Sequence, residues 1–176
     1  MMTKTNVIAK KPMMMMNAAD QLREYGLRLS YGHIAICGAS MTGKTTILLK
    51  LLRRVHEMFD YKIDKVLLFY EHSSPMYDQM AEICRSKNIE FEHKRYDETP
   101  LDMSNLEAAR GGTSSNITLC IFDDATQLVQ SSPKFNQMIH VARHSRFAFI
   151  LLVHGIVYTR PQARTMVSAT AAAVAP

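Results

Sequence analysis

At 176 residues, 47% of them hydrophobic and 21% charged, the chain suits one globular domain with a substantial core and not a disordered segment. Its longest apolar run, FAFILLVHGIVY, spans 12 residues around a His, short of the roughly 20 that a membrane-crossing helix needs. Met13–Met16 lack the flanks of a cleavable signal, so an intracellular protein with no membrane span is expected.

The net charge of +5 is unevenly spread. Residues 1–60 hold nine Lys/Arg against four Asp/Glu, residues 61–124 hold seven against twelve, and the five basic residues after Asp124 face no acid at all. Such asymmetry fits a face turned toward a polyanion, or a phosphate site that needs positive potential, or simple solvated charge. Cys37, Cys84 and Cys120 cannot all pair and show no metal-ligand spacing, which points to reduced thiols in or near the core.

In chain order, residues 1–20 read as a flexible basic arm with Lys4, Lys10 and Lys11, and a short helix is expected over Ala18–Leu27. HIAIC reads as a buried strand. A helix over Lys44–Phe59 follows, with Leu48, Leu51, Leu52, Val55 and Phe59 at helical spacing. KVLLFY is a second strand, a helix covers about Met76–Lys87, and IEFEH alternates as an edge strand does. The polar stretch from Asp97 to Asn116 has room for one short helix, and ITLCIFDD is a third core strand ending in acids. Ser132 and Pro133 form an N-cap and first helical residue, opening a helix with Phe135, Met138, Ile139 and Ala142 on one face. FAFILLVH is a fourth core strand, and the alanine-rich residues 169–176 read as a fraying tail or an abrupt stop. Strands alternating with helices imply an α/β fold with a mostly parallel sheet between two helical layers, here spanning 21–168.

The segment GASMTGKTT, from Gly38 through Ala39, Ser40, Met41, Thr42, Gly43, Lys44 and Thr45 to Thr46, meets the pattern G-x-x-x-x-G-K-[ST] between a strand and a helix. Glycines let the backbone wrap an anion so that successive N–H groups cradle phosphates. Lys44 would reach the β- and γ-phosphates and the Thr45 hydroxyl would meet Mg²⁺. About 80 residues later Asp123 ends an apolar strand, the place of a carboxylate that holds Mg²⁺ through water, and Asp124 falls where a water-activating acid would sit. Guanine-nucleotide switches are disfavoured: Asp123-Asp124-Ala125-Thr126 lacks the Gly of D-x-x-G, and YKID lacks the Asn of N-K-x-D and precedes the acids. The Arg-containing stretch Arg143–Arg164 includes a core strand, so it makes a poor small-molecule kinase lid. ATP hydrolysis is the reaction these residues fit.

Arg143 and Arg146 lie at a helix end roughly 20 residues past the acids, where an arginine can reach a neighbouring subunit's γ-phosphate or merely complement the helix dipole. His154 ends the fourth strand. It is either a γ-phosphate sensor, if that strand lies between those of the P-loop and the acids, or an ordinary strand-exit residue.

The run DDATQL…FNQMIHVARHSRFAFILLVHGIVYTRPQAR resembles the DNA-packaging ATPases of poxvirus-type and Polinton-like DNA viruses, in the FtsK–HerA superfamily of P-loop motors. The matching features are the double acid, Arg143-His144, a strand ending at His154, then Pro161 and Arg164; KVLLFYEHSSPMYDQM also resembles the family, so the likeness covers about His33 to Arg164. Two features depart from it: His154 replaces a Gln, and RTMVSA lacks an expected Asn. The resemblance implies a P-loop NTPase fold of the additional-strand, RecA/FtsK-like type, with ATP and Mg²⁺ as cofactors. It further implies a ring homo-oligomer, pentamer or hexamer, that moves double-stranded DNA into a capsid, with a capsid vertex protein as a further partner, in the host nucleus or a cytoplasmic virus factory. A cellular or plasmid translocase of the same superfamily, and a non-hydrolysing nucleotide-binding scaffold or switch, are the alternatives.

Overall fold

The computed structural model describes residues 33–98, 100–111, 116–154 and 171–174, without the side chains of Arg143 and of 171–174. The expected basic arm, the helix over Ala18–Leu27, and Pro161 and Arg164 lie outside the described residues.

The strands are β1 (Ile34–Cys37), β2 (Ile63–Tyr70), β3 (Glu90–Arg95), β4 (Ile117–Phe122), β5 (Phe147–Val153) and β6 (Ala171–Val174). Between them run α1 (Lys44–Arg53), α2 (Val55–Met58), α3 (Met76–Ser86), α4 (Met103–Arg110), α5 (Thr126–Ser131), α6 (Pro133–Ala142) and a 3₁₀ turn at Arg143–Ser145. The sheet order is β3-β2-β4-β5-β1-β6, and each pairing is parallel. β5 is therefore inserted between β1 and β4, the additional-strand arrangement.

Side-chain alternation along the strands divides the core into two layers. Val66 and Leu68 of β2, Ile121 of β4 and Ile150 and Leu152 of β5 face one way, against Leu48 and Leu52 of α1 and Met80 of α3. Leu67, Phe69, Cys120, Phe122, Phe149 and Leu151 face the other, against Leu106 of α4 and Phe135, Met138 and Ala142 of α6. A sheet apolar on both faces has to be covered on both, and the three-layer architecture follows. The free thiols fit this picture: burial pushes Cys84 up to about 12 and Cys120 higher still, so both stay protonated.

Caps fall where the residue types put them. The Asp102 carboxylate accepts from the Asn105 amide at 2.9 Å to open α4, and the Ser132 hydroxyl accepts from the Phe135 amide at 3.2 Å beside Pro133 in α6. β3 does form an edge, and its Glu90 and Glu92 both bind Lys65, charges that discourage further strand addition.

Two expectations are corrected and one further element is found. The single helix over Lys44–Phe59 breaks at Arg54 (φ −113°, ψ 20°), whose amide turns back to the Leu51 carbonyl at 3.1 Å; the change of direction buries Val55, Met58 and Phe59 together. The stretch before Ser132 forms the short helix α5, which had no apolar period to announce it. Within the alanine-rich tail, residues 171–174 pair as a strand with Ile34–Cys37 and close the open edge of β1. Alanine is depleted in strands, so composition conceals this pairing, which answers the need of β1's backbone for partners.

Candidate active site

Because every strand is parallel, the loops that follow them gather at one edge of the sheet, where α/β folds place ligands. The register is exact enough to name neighbours: Cys37 pairs with Val153 and Phe122 with Leu151, so Gly38, Asp123, Asp124 and His154 leave the sheet side by side. The ladders run on into these loops, from the Gly38 amide to the Val153 carbonyl (3.1 Å), from Asp123 to Phe69 (2.8 Å) and from Ala125 to Leu152 (2.8 Å).

Between β1 and α1 the chain wraps tightly. A Cβ on Gly38 would lie 2.5 Å from Oγ1 of Thr42, which donates to the Ala39 carbonyl at 2.8 Å. Gly43 sits at φ +89°, the left-handed conformation that glycine adopts without strain, and Met41 stands fully exposed at the loop's tip. Lys44, only 9% exposed, crosses the loop and donates to the carbonyls of Gly38 (2.8 Å) and Ala39 (2.9 Å). Among the described residues no side chain caps α1, and its first turn, which includes Thr45 and Thr46, holds no acid, an arrangement able to take an anion on the leading amides.

The acids leave the sheet at the same edge as this loop. The Asp123 carboxylate accepts from the Tyr77 hydroxyl at 2.8 Å, and the Asp123 carbonyl accepts from the Tyr96 hydroxyl. Asp124 adopts φ 56°, a left-handed conformation that Asp tolerates, and its side chain remains 41% exposed. Nε2 of His154 lies 3.3 Å from the Asp124 carboxylate, while Nδ1 lies 3.3 Å from both Lys44 Nζ and Ser40 Oγ. An ammonium only donates, so Nδ1 is the acceptor and the neutral ring carries its proton on Nε2, toward Asp124. The His154 amide donates to Thr126 Oγ1 at 2.9 Å, which fixes the strand exit.

Tyr77 and Tyr96 are site residues that sequence reasoning did not find. Both phenols are pushed well above their ordinary value, Tyr77 by burial and then by the bond to Asp123, Tyr96 by burial and then by the charges of Asp123 and Asp124. They remain protonated donors. A cleft of about 360 Å³ adjoins Asp124, walled by Glu71, His72, Arg95, Tyr96 and Gln127.

The two arginines are not brought to this edge. Arg143 opens the 3₁₀ turn and Arg146, with an exposed side chain at φ 61°, directly precedes β5; the Arg146 carbonyl accepts from the Thr118 amide at the start of β4. The seven residues of β5 therefore separate Arg146 from His154, roughly 26 Å over eight steps at about 3.3 Å per residue.

The donor set fits Mg²⁺. Thr45 and Asp123 offer hard oxygen. That suits an ion held by one or two protein oxygens, water and phosphate.

Residues 20–174 match the family described as Poxvirus A32 protein. The chain belongs to the poxvirus A32 family. That family is one of viral genome-packaging ATPases. No curated protein sequence matches the chain. Among solved structures it is similar to the cytoplasmic domain of EssC, at 16% identity and a TM-score of 0.53, over 80% of this chain and 30% of that one. It is similar also to the ATPase DotB of Legionella pneumophila, at 16% identity and a TM-score of 0.50, over 90% of this chain and 39% of that one. These likenesses establish a shared fold; this A32-family chain spans well under half the length of either protein.

Proposed function

We propose that this chain is a motor that hydrolyses ATP to translocate double-stranded DNA into a viral capsid. The observation that carries the reading is the bridge from Lys44 through His154 to Asp124, which unites a phosphate-binding loop with an acid in an A32-family chain.

In this reading the amides of Gly38 to Thr46 cradle the phosphates, Lys44 leaves its loop carbonyls for the β- and γ-phosphates, and Thr45 and Asp123 hold Mg²⁺. Mg²⁺ bound there neutralises phosphate charge. Asp124 orients the attacking water, and His154 reports the γ-phosphate to Asp124 through its two ring nitrogens. Arg143 or Arg146, on the opposite edge of the sheet, serves a neighbouring subunit's site, which makes a closed ring of five or six copies the working form. DNA is held through its phosphates without sequence readout, consistent with the basic ends of the chain. The capsid vertex is the docking partner, in the nucleus or a cytoplasmic virus factory of the infected cell.

ATP turnover measured with and without duplex DNA tests this. Stimulation by DNA that disappears in Lys44→Ala supports it; nucleotide binding with turnover indifferent to DNA overturns it.

A further inference from the structure

The Asp123 carboxylate terminates a strand, and a strand-end side chain is free to turn unless something holds it. Among the described residues, three contacts hold Asp123. Its amide donates to Phe69, its carbonyl accepts from Tyr96, and Oδ2 accepts from Tyr77 at 2.8 Å. Of these, the last acts on the carboxylate itself.

We propose that Tyr77 is the positioning residue of the metal half-site, occupying Oδ2 of Asp123 so that Oδ1 is presented to the water shell of Mg²⁺. The proposal rests on the nucleotide and Mg²⁺ reading above. Tyr77 is suited to the task because it cannot wander: it is 4% exposed, its ring packs on Tyr70 at 5.0 Å between centroids, and it sits in the first turn of α3. A hydrogen bond from a phenol to a carboxylate, made away from water, is charge-assisted and directional. The same hydroxyl lies 3.1 Å from the His72 carbonyl. A phenol has one proton, so the charged oxygen takes it and the carbonyl marks where the hydroxyl turns if Asp123 swings away. Metal sites commonly orient a ligand through such an outer partner, and losing the partner costs roughly tenfold to a hundredfold in metal affinity.

The test is equilibrium binding of a fluorescent, non-hydrolysable ATP analogue to the full chain, in Mg²⁺ and in EDTA. Tyr77→Phe keeps the ring and deletes the hydroxyl. The expected result is a loss of about tenfold in binding with Mg²⁺, an unchanged affinity in EDTA, and a shift of the Mg²⁺ titration to higher concentration. In an Asp123→Asn background the same change should have no further effect. Unchanged binding with Mg²⁺ overturns the proposal, and so does an equal loss in EDTA, which would mark a purely structural role. An effect that persists undiminished beside Asp123→Asn overturns it as well. If the unaltered chain binds the analogue equally with and without Mg²⁺, the metal assignment itself fails, an outcome distinct from the failure of Tyr77 alone.

Discussion

His154 stands between Lys44 and Asp124, with Nδ1 at 3.3 Å from the ammonium and Nε2 at 3.3 Å from the carboxylate. One imidazole thereby joins the loop after β1 to the acids after β4, along the strand that lies between them. Glutamine, the residue of the resembling family at this place, also has a donor and an acceptor on one head group. His154→Gln should keep most ATP turnover, whereas His154→Ala should lower kcat by roughly tenfold, the loss of one hydrogen bond at the γ-phosphate, with KM little changed. Steady-state kinetics at saturating Mg²⁺ reads this directly. An alanine variant as fast as the parent contradicts the sensor role.

Gly38 makes a separate, steric prediction. The 2.5 Å approach of a Cβ to Thr42 Oγ1 means that Gly38→Ala must dislodge the Thr42 hydroxyl from the Ala39 carbonyl and reshape the loop. Nucleotide affinity should fall at least tenfold while thermal stability drops by only about 1 kcal/mol, since the loop is exposed. Adding Thr42→Ala removes the opposing atom and should restore part of the affinity. Calorimetric titration of the single and double variants decides it.

Stability toward acid should depend on the edge of the sheet. Burial alone would raise the Glu92 carboxyl, but the hydrogen bond and charge of Lys65, aided by Lys94, outweigh it and hold the carboxyl below its ordinary value. A carboxyl lowered by folding stabilises above its unfolded value of about 4.3, and that contribution is lost as pH falls through the folded value. Glu92→Gln should therefore flatten the loss of stability below about pH 4. At neutral pH the partly exposed pair is worth less than about 1 kcal/mol. Denaturant midpoints from pH 3 to 7 supply the measurement.

The placement of Arg143 and Arg146 at the far edge of β5 predicts complementation between subunits. Arg143→Ala or Arg146→Ala chains and Asp124→Asn chains should each be inactive alone. Mixed rings should regain a share of ATPase activity, because some interfaces then pair an intact arginine with an intact acid. Mixtures that stay inactive at every ratio, with rings assembled, contradict an arginine acting in trans.

What could be read before folding, and what could not, follows from the range of each interaction. Gly38, Gly43, Lys44 and Thr45 lie within eight residues of one another, so their spacing alone is enough to propose a phosphate-binding loop. Asp123 and Asp124 stand out as candidates because an apolar strand ending in acids has few other uses after such a loop. Tyr77 and Tyr96 are invisible for the opposite reason: Tyr77 meets Asp123 46 positions away, through the pairing of β2 with β4 and of β2 with β3. Tyr77 reads as an ordinary core position of α3 until that register is known. The turn at Arg54 carries no Gly or Pro to announce it, and residues 171–174 pair because β1 offers an edge and not because alanine favours strands.

We propose that ATP hydrolysis at this site moves the protein along duplex DNA. A triplex-displacement assay addresses it most directly: a third strand bound to a duplex is released only when a motor passes. Release should require ATP and Mg²⁺, be indifferent to the intervening duplex sequence, and be abolished by Asp124→Asn although nucleotide still binds. ATP turnover without any displacement, or displacement that survives Asp124→Asn, would contradict it.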